Sequence, residues 1–185
     1  NLFAYTCGIG VCAAAGGASE VWNVDFAASA LAVGRANAER NGVASETFRL
    51  VREDVIPVVR QLAGLPVKGR ATRRRTYLHL APRRFDIVVL DPPRWATGPF
   101  GAVDVVRDYP ALFKPALLAT HAGGHVLATN HVPGVPVDDW LAVLARTAEK
   151  VGRRVGAVEV IPPDADFPAF DGRPPLKMAW IEVAD

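Results

Sequence analysis

Asp91 closes a short apolar run, Ile87-Val88-Val89-Leu90, and is followed at once by Pro92, Pro93, Arg94 and Trp95. The run is β-branched and unalternated, the pattern of a central parallel strand covered on both faces. Two prolines in succession supply no amide hydrogens and fix φ, so strand pairing must stop and the loop beyond is stiff. Ligands of open α/β sheets sit at that carboxyl end. A carboxylate on a stiff loop there can hold a flat substrate group by hydrogen bonding, and Trp95 can stack on a ring. The competing reading is a strand terminator with a solvated acid.

A second group lies at the start of the chain. Asn1 to Tyr5 reads as a strand, Thr6-Cys7-Gly8-Ile9-Gly10 as a turn, and Val11 to Ala15 as a helix closed by Gly16-Gly17. Gly8 and Gly10 permit close backbone approach to a ligand, and amides at a helix start attract negative charge. The spacing is not GxGxxG, so a dinucleotide pyrophosphate is poorly supported. Next comes Glu20-Val21-Trp22-Asn23-Val24-Asp25, a strand ending in an acid at the interval where nucleotide-binding α/β folds place a ribose-holding carboxylate. Asp25 is therefore the best single binding candidate. Its alternative role is a helix N-terminal acid favoured by the dipole.

Taken together, Asn1 to Gly42 with its glycine loop, strand-terminal Val24-Asp25 and Glu39-Arg40-Asn41-Gly42, followed by Phe85-Asp86-Ile87-Val88-Val89-Leu90-Asp91-Pro92-Pro93-Arg94, resembles the class I S-adenosylmethionine-dependent methyltransferases. The branch it is most similar to contains the large-subunit ribosomal RNA cytosine-5 methyltransferases. The resemblance implies a Rossmann-like α/β sheet of order 3-2-1-4-5-7-6, its last strand antiparallel, with helices on both faces. It implies S-adenosyl-L-methionine as cofactor, with Thr6 to Gly10 under the methionine part, Asp25 on both ribose hydroxyls and Asp54 near the adenine amino group. The cofactor contacts expected on this basis are Tyr5, Thr6, Cys7, Gly8, Gly10, Asp25, Phe26, Asp54, Val55 and Asp91. Asp91, Pro92 and Pro93 would face the transferred methyl group, and Arg94, Trp95, Asn130 and Lys177 are candidate substrate contacts.

Two departures from that branch bear on mechanism. Tyr5-Thr6-Cys7-Gly8 stands where Tyr-Thr-Gly-Gly is common, and is closer to the Cys-Gly-Ile-Gly loop of the related uracil-5 RNA methyltransferases. More seriously, carbon-5 methylation of a pyrimidine needs a cysteine to attack carbon 6. Relatives carry it just after the strand that follows Asp-Pro-Pro, and here Gly124 to Ala128 is followed by Thr129-Asn130-His131. The only two cysteines are Cys7 and Cys12, read as a loop residue beside the ligand and a small core residue. Direct in-line transfer is therefore expected, to a nitrogen or oxygen of a base or another flat acceptor. Methylation of a small molecule or a protein, and a cofactor-binding module without catalysis, stay open as rival readings.

The remaining sequence must position these groups. With 185 residues, half of them hydrophobic, the chain has enough for one domain spanning residues 1–185. It opens inside the first expected strand without a start methionine, so a preceding region is expected, one that helps bind RNA in the resembling family. Two cysteines five apart support neither a disulfide framework nor a zinc site, and His121, His125 and His131 lack metal-ligand spacing, so no metal is expected and the histidines read as structural. No apolar run reaches a membrane span and no signal peptide is apparent, so a cytoplasmic enzyme is expected.

Helices are expected over Ala27 to Ala38, over Val55 to Leu65, and from Asp138-Asp139 to Lys150 with Leu141, Leu144, Ala145 and Ala148 as its apolar stripe, with a further one over Asp108 to Thr120 in which Pro110 suits the first turn and Pro115 kinks or divides the helix. Late strands are expected over Val155 to Ile161 and Lys177 to Val183. Net charge is only +2, but Lys68, Arg70, Arg73, Arg74, Arg75, Arg83 and Arg84 gather before the Asp91 strand. Such a cluster fits phosphate contact and hence RNA, or a solvated insertion on the rim. Lys177 reads as a phosphate or base contact, or as an edge-protecting charge.

Overall fold

The computed structural model describes residues 1–67, 76–98, 100–164, 169–171 and 174–184. In chain order the elements are α1 (Gly8–Ala15), β1 (Val21–Asp25), α2 (Ala28–Arg40), β2 (Phe48–Arg52), α3 (Val55–Leu62), β3 (Phe85–Leu90), β4 (Trp95–Gly98), β5 (Gly101–Asp104), α4 (Val105–Leu118), β6 (Thr120–Asn130), α5 (Val137–Lys150), β7 (Val155–Ile161) and β8 (Lys177–Val183). The architecture is α/β, with a mixed sheet. β1 pairs in parallel with β2, β3 in parallel with β6, and β8 runs antiparallel between β6 and β7.

The expected first strand is much reduced. Only Leu2 bridges, in parallel, to Val24 on one side and Leu90 on the other, and this contact joins the two parts of the sheet. Its neighbours explain why pairing stops: Phe3, Tyr5 and Cys7 all have positive φ, at 59°, 48° and 61°, which an extended strand does not tolerate.

Strand alternation divides the apolar side chains between two cores. Val21 and Phe48 point to one face, where they pack with Ala4, Cys7, Val11, Leu31 and Ala38 beneath α1 and α2. Trp22, Val24, Val51, Val88, Leu90, Val126, Ala128, Ala179 and Ile181 join the larger core on the face of α3, α4 and α5. The central strand departs from its expected double cover, since Ile87 is 54% exposed. Among the described residues, α1 and α2 pack against β1 and β2 rather than over β3.

Other expectations are corrected in detail. α3 ends at Leu62, and α4 starts earlier, so Pro110 is its sixth residue rather than in the first turn, and it continues through Pro115 without division. α4 is seated by packing: Tyr109, Leu112, Phe113, Ala116 and Leu117 are all buried, which offsets the backbone bonds the prolines remove. The segment after Pro93 forms an unforeseen hairpin, β4 with β5. The two cysteines exchange their expected environments, for Cys7 is buried and Cys12 exposed.

Cys7 fills a space that Gly34 of α2 leaves open, and a Cβ added at Gly34 would collide with the Cys7 side chain. Gly34→Ala is expected to lower stability by about 1–3 kcal/mol through overpacking. Urea denaturation should show a lower midpoint at unchanged slope, and an unaltered midpoint would mean that the loop around Cys7 yields freely.

Candidate functional site

Leu2 determines where the chemistry can sit. Because it bridges Val24 and Leu90, the next residues on those strands, Asp25 and Asp91, flank the chain as it leaves the sheet. Two strand spacings separate them, roughly 10 Å. Between them runs the segment from Phe3 to Cys7 with its three left-handed residues. Non-glycine residues in that region are strained by about 1–3 kcal/mol each and cluster at binding sites.

Asp25 braces this loop. Its Oδ2 accepts from the Tyr5 amide and its Oδ1 from the Ala27 amide, both at 2.9 Å. Each oxygen retains acceptor capacity for a diol. The loop then enters α1 at Gly8 with no side-chain cap, so backbone amides at the helix start are available to an anionic group. Nothing lies within 4 Å of a Cβ position on Gly8, whereas Gly10 is packed so tightly on Asn23 that any side chain would collide. Gly8 thus faces the open edge, and Gly10, expected beside the ligand, instead lets α1 settle on β1. Tyr5 and Phe26 are 70% and 45% exposed and offer apolar rims. Thr6 contributes its carbonyl to Asn37 Nδ2. An anion-ready helix start, a braced carboxylate and exposed rings fit S-adenosylmethionine, which carries a carboxylate, a ribose diol and an adenine.

Cys7 lies under this loop, where burial first and the Asp25 charge second push its thiol up to about 11. It is a packing residue with little thiolate. Asp54 is also turned inward. Its Oδ1 caps α3 through the Ile56 amide and its Oδ2 accepts from the Phe100 amide at 3.1 Å. Gly98 lies against Asp54 so closely that a Cβ would collide with its carboxylate. The β4–β5 hairpin therefore folds over the strand end where the adenine amino group was expected, with Val55 buried alongside.

Asp91 gathers partners that sequence reasoning missed. Its Oδ1 accepts from Thr129 Oγ1 at 2.5 Å and meets His131 Nε2 at 2.7 Å. Burial alone would raise its pKa, but the bonds from His131 and Thr129 outweigh this and hold the carboxyl below its usual range. His131, expected to be structural, is thus part of the site. The signal was available in its place just beyond β6, beside the strand that ends in Asp91. Pro92 is buried, whereas Pro93, Arg94 and Trp95 are exposed.

Two candidate substrate residues point elsewhere. Asn130 is 1% exposed and its Oδ1 accepts from the Val132 amide. Lys177 is 5% exposed and donates to the Val132 carbonyl at 2.7 Å, and burial lowers its pKa. Both fix the turn after β6 rather than face a substrate. Of the basic cluster, Lys68, Arg70, Arg73, Arg74 and Arg75 lie outside the described residues. Arg83 is committed to Glu20 and lies over the rings of Trp22 and Phe85.

A cavity of about 270 Å³, lined by Ile9, Ala13, Trp22, Phe85 and Ile87 among others, lies toward the amino ends of the strands, away from Asp25 and Asp91. Asp25, Asp54, Asp91 and His131 do not line it. No helix among the described residues is long and apolar enough to cross a membrane.

Comparison with known proteins identifies the family. A family model for S-adenosylmethionine-dependent methyltransferases matches residues 1–181, and the chain belongs to that family. Ribosomal RNA large subunit methyltransferase I of Aeromonas hydrophila subsp. hydrophila is 32% identical over 169 residues, covering 91% of this chain and 38% of the relative. The protein of the same name from Photobacterium profundum is 32% identical over 176 residues, covering 94% and 40%. The chain thus spans about two-fifths of the length of these curated relatives. Among solved structures, SMU.776, described as a methyltransferase complexed with SAH, superposes with a TM-score of 0.76 at 25% identity, covering 99% of this chain and 44% of that one. The S-adenosylmethionine-dependent methyltransferase from Agrobacterium tumefaciens gives 0.70 at 20% identity, covering 98% and 53%, and shows the fold alone.

The lowered pKa of Asp91 has a consequence for stability. A carboxyl more acidic folded than unfolded stabilises the fold above its unfolded pKa of about 4, and that contribution fades as pH falls through the folded value. Asp91→Asn is expected to be less stable than the parent chain at neutral pH, with the gap closing in acid. Urea titrations at stepped pH check this, and a gap of constant size across the acid range would deny Asp91 its ionised role.

Proposed function

We infer that this chain is the cofactor-binding and catalytic part of a methyltransferase that acts on RNA, with ribosomal RNA as the substrate class. The observation that carries the reading is the placement of Asp25 and Asp91 on either side of one strained loop at the carboxyl edge of the sheet. The names of the relatives support the RNA substrate.

In this reading Asp25 holds the ribose, the start of α1 receives the methionine carboxylate, and Tyr5 and Phe26 flank the bound cofactor. S-adenosylmethionine would supply an activated methyl group on sulfur. Asp91, with Pro92 and Pro93, holds the acceptor in line, so the protein contributes orientation and a fixed polar environment. Trp95, 61% exposed, offers its ring for stacking on a base. An ionised, doubly hydrogen-bonded Asp91 favours this reading over a module that has lost catalysis.

Asp25→Ala is expected to weaken S-adenosylmethionine binding by roughly 1–3 kcal/mol, the value of lost charge-assisted hydrogen bonds. Calorimetry that finds equal affinity would remove Asp25 from the site. Replacing Arg73, Arg74 and Arg75 with Ala is expected to weaken RNA binding and flatten its salt dependence while cofactor affinity holds. A salt slope identical to the parent chain's would take this segment off the phosphate backbone.

A further inference from the structure

The turn after β6 carries more polar anchoring than a connection of its length requires. Thr129 and Asn130, the last residues of β6, and Val132 in the turn are held by three bonds from elsewhere or from within. The Tyr109 hydroxyl donates to the Thr129 carbonyl at 2.7 Å, the Lys177 ammonium donates to the Val132 carbonyl at 2.7 Å, and the Asn130 side chain accepts from the Val132 amide at 2.9 Å. Tyr109, Asn130 and Lys177 are 2%, 1% and 5% exposed. Burying a lysine and a tyrosine hydroxyl is costly unless each polar atom is satisfied, and here both are spent on one turn.

What that turn presents is His131. Its side chain is 40% exposed and that of Asp91 31% exposed, with Nε2 and Oδ1 at 2.7 Å. The three buried bonds already hold the turn, and a half-exposed polar pair contributes only modestly to stability beyond them. Asp91 is ionised and can only accept, so the nitrogen facing it must donate. In the neutral imidazole this leaves Nδ1 as the bare, basic nitrogen, fixed in direction by Asp91. Thr129 donates to the same Oδ1, so neither bond described falls on Oδ2. The site thus pairs an oriented base with a carboxylate oxygen able to accept from an acceptor's N–H or O–H.

We propose that His131, oriented by Asp91 and Thr129, is the catalytic base for a methyl acceptor that carries hydrogen on nitrogen or oxygen. The lone pair of that atom forms the bond to the methyl carbon, the methyl–sulfur bond breaks with its electron pair remaining on sulfur, and the acceptor's proton passes to His131 Nδ1. No covalent bond to the enzyme forms, consistent with the absence of cysteine after β6. This deepens, and rests on, the reading of the carboxyl edge as a methyl-transfer site.

Two measurements on the full chain test it. Long-range proton–nitrogen NMR of ¹⁵N-histidine protein needs no substrate, and neutral His131 is expected as the Nε2–H tautomer with Nδ1 unprotonated. An Nδ1–H tautomer overturns the proposal. With ribosomal RNA as acceptor, His131→Ala is expected to lower kcat by about 10²-fold at unchanged KM for S-adenosylmethionine, with added imidazole restoring part of the loss. An unchanged kcat, or a loss that imidazole leaves untouched, overturns it. So does methyl found on carbon 5 of a pyrimidine, or a covalent adduct with 5-fluoropyrimidine RNA. If ribosomal RNA takes no methyl group from the parent chain, the RNA reading fails, while the tautomer still decides the role of His131.

Discussion

The pairing of one residue, Leu2, with strands on both sides organises this molecule. The Leu2 amide donates to the Val89 carbonyl at 2.9 Å, and the Ala4 amide and Asn1 carbonyl bond to Val24 at 3.0 and 2.9 Å. These few bonds join the β1–β2 ladder to the β3–β6–β8–β7 ladder. They also set the register by which Asp25 and Asp91 end up as neighbours across a single loop. Because side chains alternate along a strand, a slip of one residue would turn either acid to the opposite face. The pairing of the two acids at this edge is thus a consequence of backbone register before it is a matter of side-chain chemistry.

The strained loop and the packing beneath it complete that constraint. Phe3, Tyr5 and Cys7 adopt backbone conformations that cost energy, and their surroundings hold them there. Asp25 takes the Tyr5 amide, Asn37 takes the Thr6 carbonyl, and Cys7 is enclosed beneath Gly34 of α2. A thiol pushed up to about 11 by burial is poorly suited to attack a pyrimidine. The same packing that shapes the loop before α1 therefore removes Cys7 from nucleophilic chemistry.

The elements that depend on local pattern were legible before the structure. β-branched runs ending in acids located β1 and β3, and the boundaries of β7 and β8 were read directly from Val155 to Ile161 and Lys177 to Val183. The partner of Asp91 was not, since His131 lies 40 residues further along and histidine spacing was judged only for metal binding. Cys7 and Cys12 were assigned the wrong environments because the positive φ of Cys7 and its packing against Gly34, far along the chain, leave no local signal. The β4–β5 hairpin was hidden by the proline and glycine content of residues 92–101, which reads as loop. Lys177 looked like an edge charge because β8 was taken as an edge strand, whereas β7 lies outside it.

The most direct measurement of the central claim is a crystal structure of this chain with S-adenosylhomocysteine. The account predicts the ribose hydroxyls on Asp25, the amino-acid end at the start of α1 and the sulfur directed toward Asp91 and Pro92. Density for the ligand in the cavity near Ile9, Trp22 and Ile87 instead, with the Asp25 carboxylate still bonded only to Tyr5 and Ala27, would contradict it.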